Sequence, residues 1–298
     1  MRVVDLFSGC GGLSLGFEKA GFKIIKAFDN WCPAVETYNL NFTHQCEKLD
    51  LSTEDAIIKI SELKPEIIIG GPPCQDFSIA GKGNHQGEKA NLTLSFAKIV
   101  SKIKPDIFVM ENVYNIERMN ILKEAIEIIK KNGYGLTSEI WDASFMNVPQ
   151  SRKRFIMIGK IGEQDNFLLE ILKNNLSKKQ TTLRDYLGNS LKTEYYYMHP
   201  RSYARRAIYS IDEPSATIRG VNRPIPQNYQ FHDADKSKNL KNIRALTTAE
   251  RSYIQTFPNN YSWAGTKTEV EQLIGNAVPV NMAYFIAKGI KEYINTKK

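Results

Sequence analysis

Glu66-Ile-Ile-Ile-Gly-Gly-Pro-Pro-Cys-Gln-Asp-Phe-Ser78 is the stretch that decides the fold and the chemistry expected of this chain. Its residues 67–69 are a continuous β-branched run, which is typical of a strand buried on both faces of a parallel sheet. Pro72 and Pro73 end the strand because prolines lack a donor and fix the backbone direction. Cys74 is therefore predicted just beyond the carboxyl end of a buried strand, where open α/β sheets bind their ligands.

Two interpretations of Cys74 are open from this stretch alone. A lone cysteine after a strand is most often an inert, small core residue. A rigid turn with positive charge nearby instead lowers the pKa of the thiol, and the resulting thiolate is a nucleophile.

The composition is that of an ordinary soluble globular protein, with 298 residues, 42% of them hydrophobic, and a mean hydropathy of −0.37. The formal net charge of +8 favours an anionic partner such as a nucleic acid. No apolar stretch approaches the length needed to cross a bilayer, so we expect no membrane partner and a cytoplasmic location.

Neither a metal site nor a disulfide framework is expected. The four cysteines are irregularly spaced and include no C-x-x-C pair. The four histidines show no ligand spacing and are predicted to be structural or surface residues. These residues are Cys10, Cys32, Cys46, Cys74, His44, His85, His199 and His232.

A glycine-rich turn over residues 8–12 follows the predicted first strand and opens a predicted helix over 13–20. Such a turn offers backbone donors and room for a ligand, so it is either a nucleotide-like pocket or a purely structural turn. Ser14 occupies the place of the third glycine in the dinucleotide pattern G-x-G-x-x-G. That departure disfavours an oxidoreductase that uses nicotinamide or flavin.

Two acidic residues end predicted strands. Asp29 is placed to accept hydrogen bonds from the ribose hydroxyls of a nucleoside cofactor, or else to cap a helix over residues 31–41. Glu111 is either a carboxyl group kept protonated near neutral pH by burial or a capping or ion-paired residue. The polar stretch 79–91, with three glycines, is a linker or a mobile loop that carries function.

The remaining elements are predicted from periodicity and from turn residues. A final helix over 280–294 is expected to pack back on the first sheet. The other predicted helices are 53–63, 92–102 and 116–132, and the other predicted strands are 23–28, 106–110, 134–142 and 155–159.

Six blocks that run in order along nearly the whole chain resemble the cytosine-C5 DNA methyltransferase family. They include a cofactor block, the Pro-Pro-Cys block and the Glu-Asn-Val triplet. The blocks are Asp5–Leu13, Gly71–Ser78, Glu111–Val113, Gln150-x-Arg152-x-Arg154, Arg244–Pro258 and Gln272–Pro279.

The resemblance implies an α/β fold with a Rossmann-like, S-adenosylmethionine-dependent methyltransferase sheet and a small irregular target-recognition domain. The catalytic and cofactor-binding domain is expected at 1–160 plus 270–298, and the target-recognition domain at 161–269. Within the latter, residues 171–251 hold 15 Lys and Arg against 7 Asp and Glu, with interleaved aromatics, which suits contact with DNA.

The implied reaction transfers a methyl group from S-adenosylmethionine to C5 of a flipped-out cytosine in a short specific DNA sequence, through a covalent cysteine adduct at C6. No metal is implied. The implied catalytic residues are Cys74, Glu111, Arg152 and Arg154. The implied cofactor-binding residues are Phe7, Gly9, Gly11, Gly12, Leu13, Asp29, Asn30, Asp50, Leu51, Pro73, Leu92, Asn276 and Ala277. The implied DNA-binding residues are Gln75, Ser78, Lys82, Arg205, Arg219 and Arg223.

One position departs from the family pattern. The family usually has Glu at the end of the second strand, followed by a bulky residue that stacks on adenine. This chain has Asp29 and Asn30 there, and the adenine-stacking residue is left open, with Trp31 nearby.

The implied partner is double-stranded DNA, with a cognate restriction endonuclease for the same site as a candidate partner and a monomer as the expected state. Two alternatives are an RNA cytosine-5 methyltransferase of the same fold and an inactive DNA-binding relative. The inactive relative would be marked by loss of Cys74, Glu111 or Arg154, and all three are present.

Overall fold

The computed structural model describes residues 1–73, 92–202 and 204–297, so the predicted loop 79–91 and the predicted site residues Cys74, Gln75, Ser78 and Lys82 lie outside the described residues. No helix within the described ranges is long and apolar enough to cross a membrane. The strands are β1 (Arg2–Leu6), β2 (Lys23–Asp29), β3 (Cys46–Lys48), β4 (Ile67–Gly70), β5 (Ile107–Val113), β6 (Tyr134–Asp142), β7 (Lys153–Ile161), β8 (Tyr195–Tyr197) and β9 (Ile208–Ser210). The helices are α1 (Gly12–Lys19), α2 (Cys32–Asn39), α3 (Glu54–Glu62), α4 (Leu92–Ile103), α5 (Asn120–Lys130), α6 (Leu169–Asn175), α7 (Leu183–Leu187), α8 (Thr248–Ile254), α9 (Lys267–Asn276) and α10 (Val280–Thr296).

The large sheet has seven strands in the order β3-β2-β1-β4-β5-β7-β6. The first five strands in this order pair in parallel, and β7 runs antiparallel to both of its neighbours. The predicted α/β fold with a mostly parallel sheet is therefore confirmed. A second, two-stranded sheet pairs β8 with β9.

The sheet is buried on both faces, as the run of residues 67–69 predicts. Ile67 and Ile69 lie in one apolar cluster with Val3, whereas Ile68 lies in another with Val4. Side chains alternate between faces along a strand, so a strand covered on both sides is apolar at every position. Burial of each such side chain stabilises the fold by roughly 1.5–3 kcal/mol.

Helix α10 packs against α1 on one face of the sheet, which confirms the expected return of the C-terminal helix. Met282, Ala283 and Ile286 share an apolar cluster with Phe17 of α1. The two helices approach closely at Gly16, where an added Cβ would lie 2.4 Å from the Cβ of Ala283. The C-terminal residues are thereby held beside the N-terminal turn that opens α1.

The predicted helix over 116–132 is wrong at its start. A 3-10 turn (Tyr114–Arg118) comes first, and α5 begins only at Asn120. Met119 lies between them with extended backbone angles, φ −96° and ψ 138°. Ile116, within the 3-10 turn, is fully buried in an apolar cluster of the large sheet.

The region from 161 onward contributes to two apolar clusters. Leu168 and Leu172 join the cluster of Phe17 beneath the large sheet. Leu183, Tyr196 and Ile218 belong to a smaller cluster that includes residues of α8 and α9. The division into two domains at residue 160 stays a prediction.

Asp5 is a fully buried carboxyl group within β1. One of its oxygens accepts a hydrogen bond of 2.7 Å from the Ser14 hydroxyl, and that hydroxyl accepts one of 2.6 Å from Tyr38. The other oxygen has no partner among the described residues. Burial therefore raises the pKa of Asp5 from its ordinary 3.8 to about 7.

We expect Asp5→Asn to remove a pH dependence of stability. Between the unfolded pKa of 3.8 and the folded pKa of about 7 the folded protein holds a proton that the unfolded chain releases. The free energy of unfolding of the wild type should therefore fall as pH rises through this window. A rise of a few pKa units corresponds to a loss of roughly 4 kcal/mol. The neutral amide should show a smaller fall in urea unfolding at pH 5 and pH 8.

The matched control is Glu62→Gln, which neutralises an exposed carboxylate at the end of α3. This variant should keep the slope of the wild type. Equal slopes for Asp5→Asn and the wild type would show that Asp5 does not hold the proton.

Candidate active site

A cavity of about 600 Å³ opens at the carboxyl ends of strands β1 to β5. This is the edge at which open α/β sheets place their ligands. Fifteen of the predicted site residues line the cavity. They are Phe7, Gly9, Gly12, Leu13, Asp29, Asn30, Asp50, Leu51, Pro73, Leu92, Glu111, Arg152, Arg154, Asn276 and Ala277.

The turn after β1 gives the cavity an open wall. Gly9 has φ +53°, and an added Cβ would meet no atom within 4 Å. Its backbone N–H donates a hydrogen bond of 2.8 Å to Asp29 Oδ2, while Asp29 Oδ1 accepts one of 2.8 Å from the N–H of Trp31. The N-cap residue of α2 is Trp31. Asp29 therefore supports the start of this helix through its hydrogen bond to Trp31, but it is not the N-cap residue itself.

Two further groups line the same side of the cavity. Asp50 Oδ1 accepts hydrogen bonds from the N–H and the hydroxyl of Ser52 at 3.0 and 2.7 Å. These bonds lower the pKa of Asp50 and keep it an ionised acceptor. Asn30 and Trp31 both line the cavity, and which residue stacks on adenine stays a prediction.

Gly11 is the one predicted cofactor residue that does not line the cavity. Its left-handed conformation, φ +88°, precedes α1, and an added Cβ would lie 2.4 Å from the ring of Phe42. The glycine is therefore required by packing behind the turn.

Arg152 forms the floor between the cavity and the C-terminal residues. Its side chain is 1% exposed. It donates hydrogen bonds to the carbonyls of Ile218 at 3.0 Å, Gly275 at 3.1 Å and Ala277 at 2.9 Å. These contacts fix the loop that carries Asn276 and Ala277, so Arg152 acts here as a positioning residue, and direct contact with a substrate stays a prediction.

Glu111 and Arg154 form an ion pair inside the cavity wall, with 2.9 Å between Arg154 Nε and Glu111 Oε1. The antiparallel register of β5 and β7 sets Arg154 opposite Val113, diagonal to Glu111 on the same face. Glu111 is 8% exposed. Burial raises its pKa above the ordinary value, and the positive charges of Arg154 and Arg152 oppose that rise.

The sequence did not single out several lining residues that lie inside its own blocks. Membership of the same motifs was the signal that could have found them, because each block supplies a continuous loop to the cavity. They are Ser8, Cys10, Gly71, Pro72, Asn112, Val113, Leu273, Gly275 and Val278.

With this geometry in place, the chain was compared with known proteins. The model of one family, described as C-5 cytosine-specific DNA methylase, matches residues 1–292. The chain belongs to this family. The type II methyltransferase M.HindV of Haemophilus influenzae is 57% identical over 97% of this chain and 96% of its own length. The type II methyltransferase M.HgiDI of Herpetosiphon aurantiacus is 51% identical over 99% of this chain and 96% of its own length.

Solved methyltransferase structures share the fold of this DNA methylase. The Dnmt2 methyltransferase of S. pombe superposes with a TM-score of 0.74 at 20% identity, covering 98% of both chains. A putative DNA modification methyltransferase from an E. coli prophage gives a TM-score of 0.72 at 21% identity, covering 99% of both. The predicted family, fold and enzyme class are thus confirmed, and the family implies S-adenosylmethionine as the methyl donor.

The described cysteines of the methylase are poor candidates for the nucleophile. Cys10 lines the cavity but is buried, and burial raises its pKa to about 12. Burial likewise raises the pKa of Cys46 to about 12. Cys32 is exposed at the start of α2 and does not line the cavity. No described group of His, Cys, Asp and Glu is arranged to hold a metal ion.

The predicted DNA-binding arginines lie outside the cavity. Arg205 and Arg223 are exposed, and Arg219 is partly buried. The structure brings Arg219 next to the active-site loop, since an added Cβ on Gly275 would lie 2.3 Å from its carbonyl carbon.

Asn112 holds the turn that leads to Cys74. Its Nδ2 donates a hydrogen bond of 2.9 Å to the carbonyl of Pro72, and its Oδ1 accepts one of 2.8 Å from the N–H of Val113. Asn112 is 3% exposed, so no water replaces these bonds easily.

We expect Asn112→Asp to slow methyl transfer without preventing cofactor binding. The variant keeps an acceptor for the N–H of Val113 but loses the donor to Pro72, which frees the turn before Cys74. A displacement of about 1 Å at a reacting group slows chemistry by as much as about a hundredfold. Single-turnover rates and calorimetry with S-adenosylmethionine measure the two effects separately. A rate equal to that of the wild type would remove the positioning role.

Proposed function

We propose that this methylase transfers a methyl group from S-adenosylmethionine to C5 of a cytosine flipped out of double-stranded DNA, within a short specific sequence. The observation that carries the proposal is the shared cavity. Asp29 and the open turn at Gly9 face the same space as Glu111 and Arg154. A nucleoside cofactor and a planar base can therefore meet there.

The residues at the β1–β3 end fit the cofactor. The carboxyl oxygens of Asp29 have lone pairs left for ribose hydroxyls, and burial raises the pKa of this group. Asp50 remains an acceptor for an adenine amino group, and Gly9 leaves room beside them. S-adenosylmethionine supplies, when bound, a methyl group on a positively charged sulfonium. Trp31 is our candidate for contact with the adenine ring, since Asn30 offers no ring.

Cys74 is the proposed nucleophile. Cytosine C5 is too weak a nucleophile to take a methyl group unaided, whereas attack of the Cys74 thiolate on C6 gives an enamine that is nucleophilic at C5. C5 then takes the methyl group, and the electron pair of the broken carbon–sulfur bond stays on the donor's sulfur. A base removes the C5 proton, Cys74 leaves as a thiolate and the proton on N3 returns to Glu111, which restores the aromatic base. Cys74 lies outside the described residues, but Pro73 lines the cavity directly before it.

Glu111 and Arg154 are proposed to act on the base. Negative charge develops at N3 when C6 is attacked, and a protonated Glu111 donates a proton there. The burial that raises the pKa of Glu111 supports this role. Arg154 keeps donors beyond its ion pair with Glu111, and we propose that it holds O2 of the base.

A stacked base cannot reach this cavity, so the target is proposed to flip out of the duplex, which takes a few kcal/mol. Gln75 and the 79–91 loop are the proposed groups that fill the vacated space. Gln75, Ser78 and Lys82, the last of these within that loop, are proposed to contact DNA. We also propose a monomer, paired in the cell with a restriction endonuclease for the same site. The names of the two type II relatives support this last point.

We expect Glu111→Gln to slow single-turnover methyl transfer by roughly a hundredfold or more, because the amide cannot donate a proton to N3. The wild-type rate should fall as pH rises through the raised pKa of Glu111, since the acid form is lost. The variant should lack this decline. A rate within about twofold of the wild type would rule out the acid role.

Covalent trapping tests the nucleophile and the substrate together. DNA with 5-fluorocytosine at the target should accept the methyl group and stay bonded to Cys74, because fluorine cannot leave as a cation. The adduct should require S-adenosylmethionine, survive denaturation and form far better on DNA than on RNA of the same sequence. Mass spectrometry after proteolysis locates the modified peptide.

The paired variants are Cys74→Ala, which should bind cofactor but form no adduct, and Cys32→Ala, which removes an exposed thiol outside the cavity and should trap normally. An active enzyme that forms no denaturation-resistant adduct, or an adduct on another cysteine, would contradict the assignment. Preference for RNA would favour an RNA cytosine-5 methyltransferase.

A further inference from the structure

The arginines of residues 171–251 fall into two groups. Four of them pair with carboxylates: Arg184 with Glu194 and Asp212, Arg206 with Glu213, Arg244 with Glu250, and Arg251 with Glu271. The other four make no ion pair with any carboxylate in the part of the chain that the structure describes. They are Arg201, Arg205, Arg219 and Arg223.

Three members of the second group, Arg201, Arg219 and Arg223, gather positive charge around His199. Burial and, next, the charge of Arg201 lower the pKa of Arg219. Burial and then the charges of Arg223 and Arg219 lower the pKa of His199. Cations that repel one another destabilise the folded protein unless an anion binds between them. The cluster is therefore suited to an anionic partner.

Two of these arginines, Arg219 and Arg223, lie on a segment, residues 217–223, whose backbone carbonyls accept hydrogen bonds from buried arginine side chains. Arg152 donates to the carbonyl of Ile218 at 3.0 Å. Arg251 donates to the carbonyls of Arg219 and Val221. Arg251 is itself held by Glu271 at 3.1 Å. Three buried or half-buried hydrogen bonds thus set the position of a segment that has no regular secondary structure.

Side chains alternate along the segment. Ile218 is fully buried, and Asn222 donates to Glu271 Oε1 at 3.0 Å. Between them, Arg219 is half-buried and Val221 is exposed, and Arg223, which follows Asn222, is exposed as well. The segment therefore presents Arg219, Val221 and Arg223 on its outer side.

The segment also borders the active site. Gly275 lines the cavity, and its backbone packs so closely on the segment that an added Cβ would lie 2.3 Å from the carbonyl carbon of Arg219. The segment therefore lies beside the cavity in which we propose that the target cytosine is held.

We infer that the 217–223 segment reads the DNA beside the target cytosine, with Arg219 contacting a guanine in the major groove and Arg223, Arg201 and Arg205 contacting phosphates. The inference rests on the proposed function. Arg219 is half-buried and donates through Nη2 to the carbonyl of His199, so its guanidinium is held in place. Its remaining donors can meet O6 and N7 of guanine, the commonest specific contact of arginine. Exposed arginines suit phosphates, which carry no sequence information.

The first test compares Arg219→Lys and Arg219→Ala with the wild type. The substrates are duplexes that contain the methylated site of the wild type and its single-base variants. Both variants should lose roughly 5- to 150-fold of the discrimination for guanine at one position near the target. Arg219→Lys should keep its affinity for unrelated DNA, because the charge remains while the bidentate donor geometry is lost.

The second test uses Arg223→Ala. Its affinity should fall by a similar factor on every duplex, and the slope of log affinity against log salt should shrink by about 0.9. Lys288→Ala removes one positive charge from α10, outside the segment, and should match the wild type in both measurements. Cofactor calorimetry and thermal unfolding verify that each variant is folded.

The results separate this inference from the proposed function. Unchanged preference at every position in both Arg219 variants would overturn the reading role. A uniform loss of affinity in Arg219→Ala, with a smaller salt slope, would make Arg219 a phosphate contact and would also overturn it. Wild-type protein that methylates no DNA would instead overturn the proposed function.

Discussion

The guanidinium group of Arg152 lies wholly inside the protein and donates to the backbone carbonyls of Ile218, Gly275 and Ala277. These three carbonyls are the acceptors for its Nη1 and Nη2 groups, whereas Nε has no partner among the described residues. Loss of a partner from a buried cation carries a penalty of several kcal/mol, so the carbonyls are held in place. The three acceptors belong to two segments, one at Ile218 and one at Gly275 and Ala277, that are distant from each other in sequence. One side chain directly before β7 thereby joins the large sheet, the loop that lines the cavity and the region that we propose to face DNA.

The second constraint is the ion pair of Glu111 and Arg154 in the cavity wall. Burial alone raises the pKa of a carboxyl group, whereas an ion pair with arginine alone lowers it. Here both influences act on Glu111, and burial is the larger. The register between β5 and β7 sets this balance, because it decides that Arg154, two residues from Arg152, faces Glu111.

The structure explains why the turn after β1 departs from the dinucleotide-binding pattern G-x-G-x-x-G. Ser14 stands where dinucleotide-binding proteins have a third glycine. Its hydroxyl donates a hydrogen bond to the buried carboxyl of Asp5 and accepts one from the Tyr38 hydroxyl. Ser14 therefore links α1 to β1 inside the protein. The position is thus used for packing inside the protein, while the open side of the turn at Gly9 faces the cavity.

The sequence by itself determined the strand at residues 67–69 and the edge of the sheet that carries the site. These two features follow from local patterns, namely apolar periodicity and turn residues, which each segment contains whatever surrounds it. The class of fold came instead from the resemblance of the six sequence blocks to a known family. Tertiary structure alone decided that Gly11 packs behind the turn, that α5 starts after Met119, and that Arg152 and Arg154 face different partners despite their shared motif. It also decided which arginines find a carboxylate and which do not. Such outcomes depend on contacts between residues far apart in sequence, and no local pattern specifies those contacts.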